Sequence, residues 1–229
     1  MTTTTAKINS PPARRRTRRE YLTPPVATAT EAERPLWAGF VFVTGFISIS
    51  LLALLAMLSR TPFVFPSLGP TAILFFLTPK SPTASPRHTI YGHAIGIACG
   101  YGSLWLFALR HAPPALVTGV DTRRVLAAGL SLAATGGLMV LAKSIHPPAG
   151  ATTLIVSLGI VTRPSHLIII EVAVALLTLQ AIAINRAVGI PYPLWTVEKQ
   201  NGNHAPRSSA AGSTFHWLPR NDSSVGSLE

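Results

Sequence analysis

Residues 143–156 read KSIHPPAGATTLIV, so a polar stretch and two prolines stand directly before an apolar run. Pro147 and Pro148 cannot lie inside a helix, because proline lacks an amide hydrogen and its ring clashes with the preceding turn. The stretch therefore predicts that one element ends here and that a helix begins at or just after the prolines. Lys143 and His146 lie at this break.

A second stretch, FPSLGPTAILFFLT at residues 65–78, has the same pattern. Both contain P-x-x-G-x-T followed by aliphatic residues, at an offset of 81 residues that aligns Gly69 with Gly150. As helices, the short runs 65–78 and 147–161 reach only about 18–22 Å, less than a hydrocarbon core of about 30 Å. Each is predicted to be a half-helix at membrane depth.

The rest of the chain between its tails consists mainly of long apolar runs. The composition is 48% hydrophobic and only 12% charged, whereas soluble domains have about 25% charged residues. A membrane-spanning helix needs about 20 apolar residues. Four runs meet this length: 36–59, 88–109, 123–142 and 167–187. We therefore expect an all-α polytopic membrane protein with four long transmembrane helices and two half-helices.

The order of these runs predicts a duplicated unit of long helix, short proline-broken half-helix and long helix. Repeat 1 would cover about residues 36–110 and repeat 2 about residues 120–190. Interrupted short helices at matching places in two halves indicate a transport site where the repeats meet. We favour an inverted relation, which brings the two half-helix N-termini together. The glycines Gly92, Gly96 and Gly100 are expected to serve helix packing.

Residues 36–190 form the predicted transmembrane domain, between tails at 1–35 and 191–229 that we expect to be disordered. This domain has nine Lys and Arg residues against two acids, a balance that repels cations and favours an anion. The basic run RRRTRR favours a cytoplasmic location for both tails. The plasma membrane is the expected location, with an organelle membrane as the alternative.

The predicted partners are a small anionic solute and the lipid bilayer. No nucleic-acid motif accompanies the basic run, so we expect no nucleic-acid partner. A homo-oligomer is compatible with the sequence.

The two predicted breaks have the features of an anion site. A helix N-terminus has free amides and a partial positive charge, and such ends bind anions. Gly69 and Gly150 would let a ligand approach the backbone. The predicted substrate-binding residues are Ser67, Gly69, Thr71, His93, Lys143, His146, Pro147, Pro148, Gly150, Thr152 and Thr153.

Several of these side chains have an alternative interpretation. His146 either binds a ligand or proton, or donates to a free carbonyl of the broken helix. Lys143 either contacts substrate or extends to the membrane interface. The threonines Thr71, Thr152 and Thr153 either face the site or bond back to their own helix turn.

Two further ionisable side chains lie within apolar runs. His93 either joins helices or lines a pore. Glu171 needs a partner in such a run. We expect it to pair with a cation such as Arg163 or Lys143 rather than to carry a proton.

No enzyme constellation accompanies these residues. The chain has no G-x-S-x-G, no P-loop and no pair of histidines with metal-ligand spacing, and Cys99 is its only cysteine. Asp121 and Glu171 are the only carboxylates in residues 36–190, which leaves little for general acid and base catalysis. We predict a non-enzyme without cofactor or metal.

The quoted stretches also resemble a known family. IHPPAGATTLI resembles the signature of the HPP family of integral membrane proteins, and FPSLGPTAILFF is similar to an earlier block of that family. SPTASPRHTIYGHAIG resembles its next block, S-P-x-x-x-P followed by G-H, whose places are filled here by Ser81, Pro82, Pro86, Gly92 and His93. Pro70 departs from the pattern, because small residues are common there.

The resemblance covers about residues 36–190 and implies four membrane-spanning helices and solute transport, with nitrite as the substrate suggested by plastid members. The leading hypothesis is therefore a transporter or channel for a small inorganic anion such as nitrite. The alternative is a non-transporting membrane scaffold or sensor whose tails bind partners. Under the leading hypothesis, anion binding would be linked to proton uptake at His146.

Overall fold

The computed structural model describes Glu31 and residues 33–197, and these residues form helices and connections without a strand. The predicted tails lie outside the described residues except for Glu31, residues 33–35 and residues 191–197. Seven α-helices and one 3-10 turn at Pro82–Ala84 make up this part of the chain. The helices are α1 (Arg34–Ser59), α2 (Leu68–Leu77), α3 (Pro86–Leu106), α4 (Ala115–Thr118), α5 (Thr122–Leu141), α6 (Ala149–Ser157) and α7 (Pro164–Ala187).

Three of these helices, α1, α5 and α7, are long and apolar enough to cross a membrane. Helix α3 has 21 residues but is not among these candidate spans. Its sequence includes Arg87, two histidines and four glycines, which lower its apolar character. The prediction of long transmembrane helices is confirmed for three of the four, and α3 remains a prediction.

Prolines mark the helix starts, as the sequence predicts. Helix α6 begins at Ala149 directly after Pro148, and α2 begins two residues after Pro66. Ten residues in α2 and nine in α6 extend about 15 Å at 1.5 Å per residue, about half of a hydrocarbon core. Both short segments are therefore too short to span as helices.

The half-helices pack against different pairs of long helices. Helix α2 packs against α1 and α7, whereas α6 packs against α3 and α5. Each half-helix thus lies beside the first long helix of its own half and the last long helix of the other half. The α2 and α7 side chains in the apolar core include Leu68, Phe75, Phe76, Ile170, Val174 and Leu177.

Glycines allow α3 to lie directly against the α6 backbone. A Cβ on Gly96 would be 2.8 Å from the carbonyl oxygen of Ala149, and one on Gly100 would be 2.8 Å from that of Thr153. Real Cβ atoms essentially never approach within 3.0 Å. The predicted packing role of these glycines is confirmed.

The C-terminal end of α6 is held by a buried arginine. Arg124, near the start of α5, donates from Nη1 to the Ser157 carbonyl at 3.0 Å and from Nη2 to the Pro113 carbonyl at 2.8 Å. Nη2 also donates to the Ala112 carbonyl at 3.4 Å. A Cβ on Gly159 (φ +79°) would lie 2.6 Å from Nη2 of Arg124. The loop after α6 therefore needs glycine here.

Residues 190–197 form a closing segment that runs back from α7 over the start of α3. Tyr192 is fully buried, and its hydroxyl donates to the Ala84 carbonyl. The Arg87 amide donates to the Trp195 carbonyl at 3.0 Å, and the Trp195 and Tyr91 rings make an edge contact at 5.9 Å. The closing segment thus fixes the turn between α2 and α3.

Candidate functional site

Two histidines from different elements meet inside the helical domain. His93 lies in the second turn of α3, and His146 lies in the irregular stretch between α5 and α6. Both side chains are fully buried, and their ring centroids are 5.0 Å apart. The proline break leaves residue 146 outside both helices, so its ring turns toward α3.

The hydroxyl of Thr71 lies between the two rings. Its Oγ1 is 3.1 Å from Nε2 of His93 and 3.3 Å from Nε2 of His146. Thr71 belongs to the first turn of α2, where its hydroxyl is also 3.0 Å from the Ser67 carbonyl oxygen. The first turn of α2 therefore contacts both imidazoles.

The outer nitrogens of the two rings contact the other half-helix and the α2–α3 turn. Nδ1 of His93 is 2.7 Å from Oγ1 of Thr152, in the first turn of α6. Nδ1 of His146 is 2.8 Å from the Thr83 carbonyl oxygen, and 3.4 Å from Oγ1 of Thr89. We call the fully buried side chains of Thr71, His93, His146 and Thr152 the histidine cluster.

The structure brings four predicted site residues together, and each makes a specific contact. His93 joins the first turns of both half-helices. His146 donates to a carbonyl, as one interpretation predicted. The acceptor is the carbonyl of Thr83, in the connection between α2 and α3, and not a carbonyl of the broken helix next to His146. Thr71 bonds both to the rings and back to its own turn, and Thr152 bonds to His93.

Other predicted site residues lie apart from the cluster. Thr153 is 2.9 Å from Oγ1 of Thr135 and 3.2 Å from the Ala149 carbonyl oxygen, so it joins α6 to α5. Lys143 is exposed, and its carbonyl accepts a 2.9 Å hydrogen bond from Nη1 of Arg87. The exposure of its side chain agrees with the interface interpretation.

The first turn of α6 differs from the prediction. The amides of Ala149, Gly150 and Ala151 donate at 3.0–3.1 Å to the carbonyls of the residues three positions earlier. The expectation of free amides here is wrong, because residues 146–148 form a tight turn that accepts them. Pro147 is exposed and Pro148 buried on this turn.

The first turn of α2 is more open. The Leu68 amide donates to the Phe65 carbonyl at 2.9 Å, and Pro70 has no amide hydrogen. The amide of Gly69 is therefore the donor in this turn that could bind a ligand. A Cβ on Gly69 would meet no atom within 4 Å, whereas one on Gly150 would lie 3.3 Å from Cδ1 of Leu132. Ser67 is fully buried, and its hydroxyl has no hydrogen-bond partner among the described residues.

Glu171 does not form the expected ion pair. Both of its carboxylate oxygens are buried and have no hydrogen-bond partner within residues 33–197. The prediction that it pairs with Arg163 or Lys143 is therefore wrong in this structure. Glu171 lies seven residues after Pro164, just as His93 lies seven residues after Pro86.

Sequence reasoning missed the contribution of Thr83 and Thr89 to the site. Thr83 acts through its backbone carbonyl, which leaves no side-chain signal in a sequence. The only available sign was its place inside the S-P-x-x-x-P block.

Within the described residues, no group of three His, Cys, Asp or Glu side chains is arranged to hold a metal. Two imidazoles and two hydroxyls can exchange protons and donate hydrogen bonds to an anion.

Residues 30–193 match the transmembrane region of the HPP family. The chain belongs to this family. The match extends over more than half of the chain and confirms the resemblance that the three sequence blocks indicated. An integral membrane protein follows from the family together with the three apolar candidate spans.

This HPP-family chain is also similar to curated proteins of Dictyostelium discoideum that are described as transmembrane proteins. One is 38% identical over 121 residues, which cover 51% of this chain and 36% of the relative. Another is 31% identical over 129 residues, covering 55% of this chain and 42% of the relative. The matched region thus spans less than half the length of these relatives. No solved structure matches the chain.

Proposed function

We propose that this HPP-family protein is a transporter or channel that moves a small inorganic anion across a membrane. The observation that carries the proposal is the histidine cluster, in which two fully buried imidazoles contact the first turns of both half-helices. Ionisable groups inside a membrane domain are costly and mark ion or substrate pathways.

The charge of the domain favours an anion. Residues 36–190 have nine basic residues and two acidic ones, and a cationic interior attracts anions and repels cations. Because the α6 amides are bonded within their turn, the anion would contact the open first turn of α2 near Gly69 and Ser67, where the charge of a protonated His146 attracts it. Nitrite, to which the family resemblance points, is the first anion to test.

We further propose that the domain is a duplicated unit whose halves meet at the cluster. Thr71 and Thr152 occupy the same place in the two P-x-x-G-x-T patterns, and they contact opposite nitrogens of His93. Helices α3 and α7 both begin with proline. Each half-helix packs against the first long helix of its own half and the last long helix of the other half. Two interlocked repeats would produce this arrangement. An inverted relation would place both half-helix N-termini near the membrane midplane.

A plasma-membrane location with both tails in the cytoplasm completes the proposal. The orientation rests on the basic N-terminal run and the rule that such runs stay on the cytoplasmic side. Single cysteines introduced into each tail, with Cys99 replaced, would be labelled by an impermeant maleimide only after the cells are opened. Labelling of intact cells would overturn this orientation.

Uptake into proteoliposomes tests the function. The purified full chain should accumulate labelled nitrite above protein-free liposomes, and unlabelled nitrite should compete with it. Chloride and nitrate as competitors would define the anion class. If the correctly inserted protein moves none of these anions, the proposal fails and the scaffold or sensor interpretation is favoured.

A further inference from the structure

The hydrogen-bond partners of the histidine cluster determine where its protons lie. The Thr83 carbonyl can only accept, so Nδ1 of His146 must carry a hydrogen. A neutral His146 then has a lone pair on Nε2, and this atom needs a donor. The only hydroxyl within reach of Nε2 among the described residues is that of Thr71.

The same reasoning fixes the rest of the chain of bonds. When Thr71 donates its single hydrogen to His146, its oxygen accepts from Nε2–H of His93. Nδ1 of His93 is then the unprotonated nitrogen, and it accepts from the Thr152 hydroxyl at 2.7 Å. All four bonds run in one direction, from Thr152 to the Thr83 carbonyl.

A proton added to His146 reverses one of these bonds. The proton binds the Nε2 lone pair, so Nε2–H now donates to the Thr71 oxygen, and the Thr71 hydroxyl turns to the Ser67 carbonyl 3.0 Å away. The Thr71 oxygen can still accept from His93, because a hydroxyl oxygen has two lone pairs. Every donor and acceptor is satisfied in both states, and only one hydroxyl has to rotate.

We propose that Thr152, His93, Thr71, His146 and the Thr83 carbonyl form a proton-binding relay in which the Thr71 hydroxyl is the switch. Protonation of His146 is thereby reported to the first turn of α2 through the Ser67 carbonyl, while the bonds of His93 to Thr71 and Thr152 keep their direction. A fully satisfied buried network of this kind favours discrete states over a continuum of geometries. The relay deepens the proposed function by naming the proton as the coupling ion, and its use in transport rests on that function.

The charges around His146 are consistent with this role. The groups near it are His93 and His88 on α3, Arg87 at the start of α3, and Lys143 on its own connection. Neither the connections 78–85 and 142–148 nor helices α2, α3 and α5 contain a carboxylate. A protonated His146 therefore has no carboxylate on these elements to balance its charge, and a bound anion would supply that negative charge.

Nitrogen NMR of the full chain with ¹⁵N-labelled histidine in lipid nanodiscs tests the relay through the tautomers of the wild-type rings. We expect opposite neutral tautomers, with the hydrogen on Nδ1 of His146 and on Nε2 of His93. His93→Gln and His146→Gln assign the signals among the seven histidines. The same tautomer in both rings, or the reverse assignment, would overturn the relay.

Substitution of the switch tests the coupling. Lowering the pH should protonate His146 at Nε2 and shift the Nε2 signal of His93, because both share Thr71. Thr71→Ser should retain this linked shift, and Thr71→Val should reduce it to the part that arises from the direct charge effect between rings 5.0 Å apart. Thr178→Val is the matched control, since Thr178 is buried on α7 and bonds only to its own helix. A linked shift of wild-type size in Thr71→Val would contradict the switch.

The outcomes separate the relay from the proposed function. Opposite tautomers and a Thr71-dependent shift in a protein that moves no anion would support the relay and overturn transport. Anion uptake by a protein in which both rings have the same tautomer would support transport and overturn the relay.

Discussion

Gly92 of α3 lies directly against His146: a Cβ on Gly92 would be 2.6 Å from the Cβ of His146. Gly92 also precedes His93 in the chain, so the residue that makes room for one histidine adjoins the other. The close approach of α3 to the proline break therefore sets the distance between the two rings.

Gly92→Ala should destabilise the protein by about 1–3 kcal/mol, because the added methyl group forces His146 or α3 to move. Gly102→Ala is the matched control on the same helix, where a Cβ would meet nothing within 4 Å. There the better helix propensity of alanine should be neutral or stabilise by up to about 1 kcal/mol. Thermal unfolding in detergent measures both changes, and equal effects would contradict the proposed contact.

Arg124→Met should lower the free energy of unfolding by at least about 2 kcal/mol, because the Ser157 and Pro113 carbonyls lose their donor. Arg124→Lys should not restore stability, since an ammonium cannot reproduce the planar fork of donors. The exposed neighbour Arg123 provides the control. Arg123→Met should change stability by less than about 0.5 kcal/mol.

His146→Ala should weaken anion binding about tenfold, because the anion loses the attraction of a nearby imidazolium charge in a site that is poor in water. Wild-type uptake should rise as the pH falls, since a bound anion favours the imidazolium. The alanine variant should show a flat pH profile. His146→Gln retains a donor but cannot become charged, so it should keep part of the uptake without the pH dependence. An inserted alanine variant with an unchanged rate and profile would remove His146 from the mechanism.

Tyr192→Phe should lower the free energy of unfolding by about 1 kcal/mol at pH 8, because the Ala84 carbonyl loses its donor. Burial also raises the pKa of the Tyr192 phenol. The native state therefore keeps this proton when the unfolded chain loses it above about pH 10, and the associated stability is lost as the pH rises.

The difference between wild type and Tyr192→Phe should consequently shrink from about pH 9 to about pH 11. Urea unfolding followed by tryptophan fluorescence at several pH values measures this difference. A constant difference would show that the phenol is not protected in the native state.

The helices and the breaks between them could be predicted from the sequence, because proline and apolar length act locally. Pro66 and Pro148 fixed the half-helix starts within two residues. The contacts of the site were less predictable. The turn at residues 146–148 takes up the α6 amides, and this depends on backbone geometry that proline identity alone does not determine.

Charge partners were the least predictable part. Glu171 was expected to pair with a cation inside the domain, yet its carboxylate has no hydrogen-bond partner among the described residues, whereas the exposure of Lys143 agrees with its interface interpretation. Pairing between distant residues depends on helix rotation, which a period of 3.6 residues sets only approximately over long runs. The contact of His93 with both half-helices follows from tertiary packing, so the sequence left its role open.

The closing segment has a consequence for the order of assembly during protein synthesis. The carbonyl that accepts from His146 belongs to a turn that is secured by Tyr192 and Trp195, near the end of the described chain. A ribosome translates the cluster residues before the closing segment. The turn that contains Thr83 therefore lacks its contacts with Tyr192 and Trp195 until residue 195 has been synthesised. A chain that ends at residue 187 would contain the seven helices but lack the closing segment that secures the turn between α2 and α3.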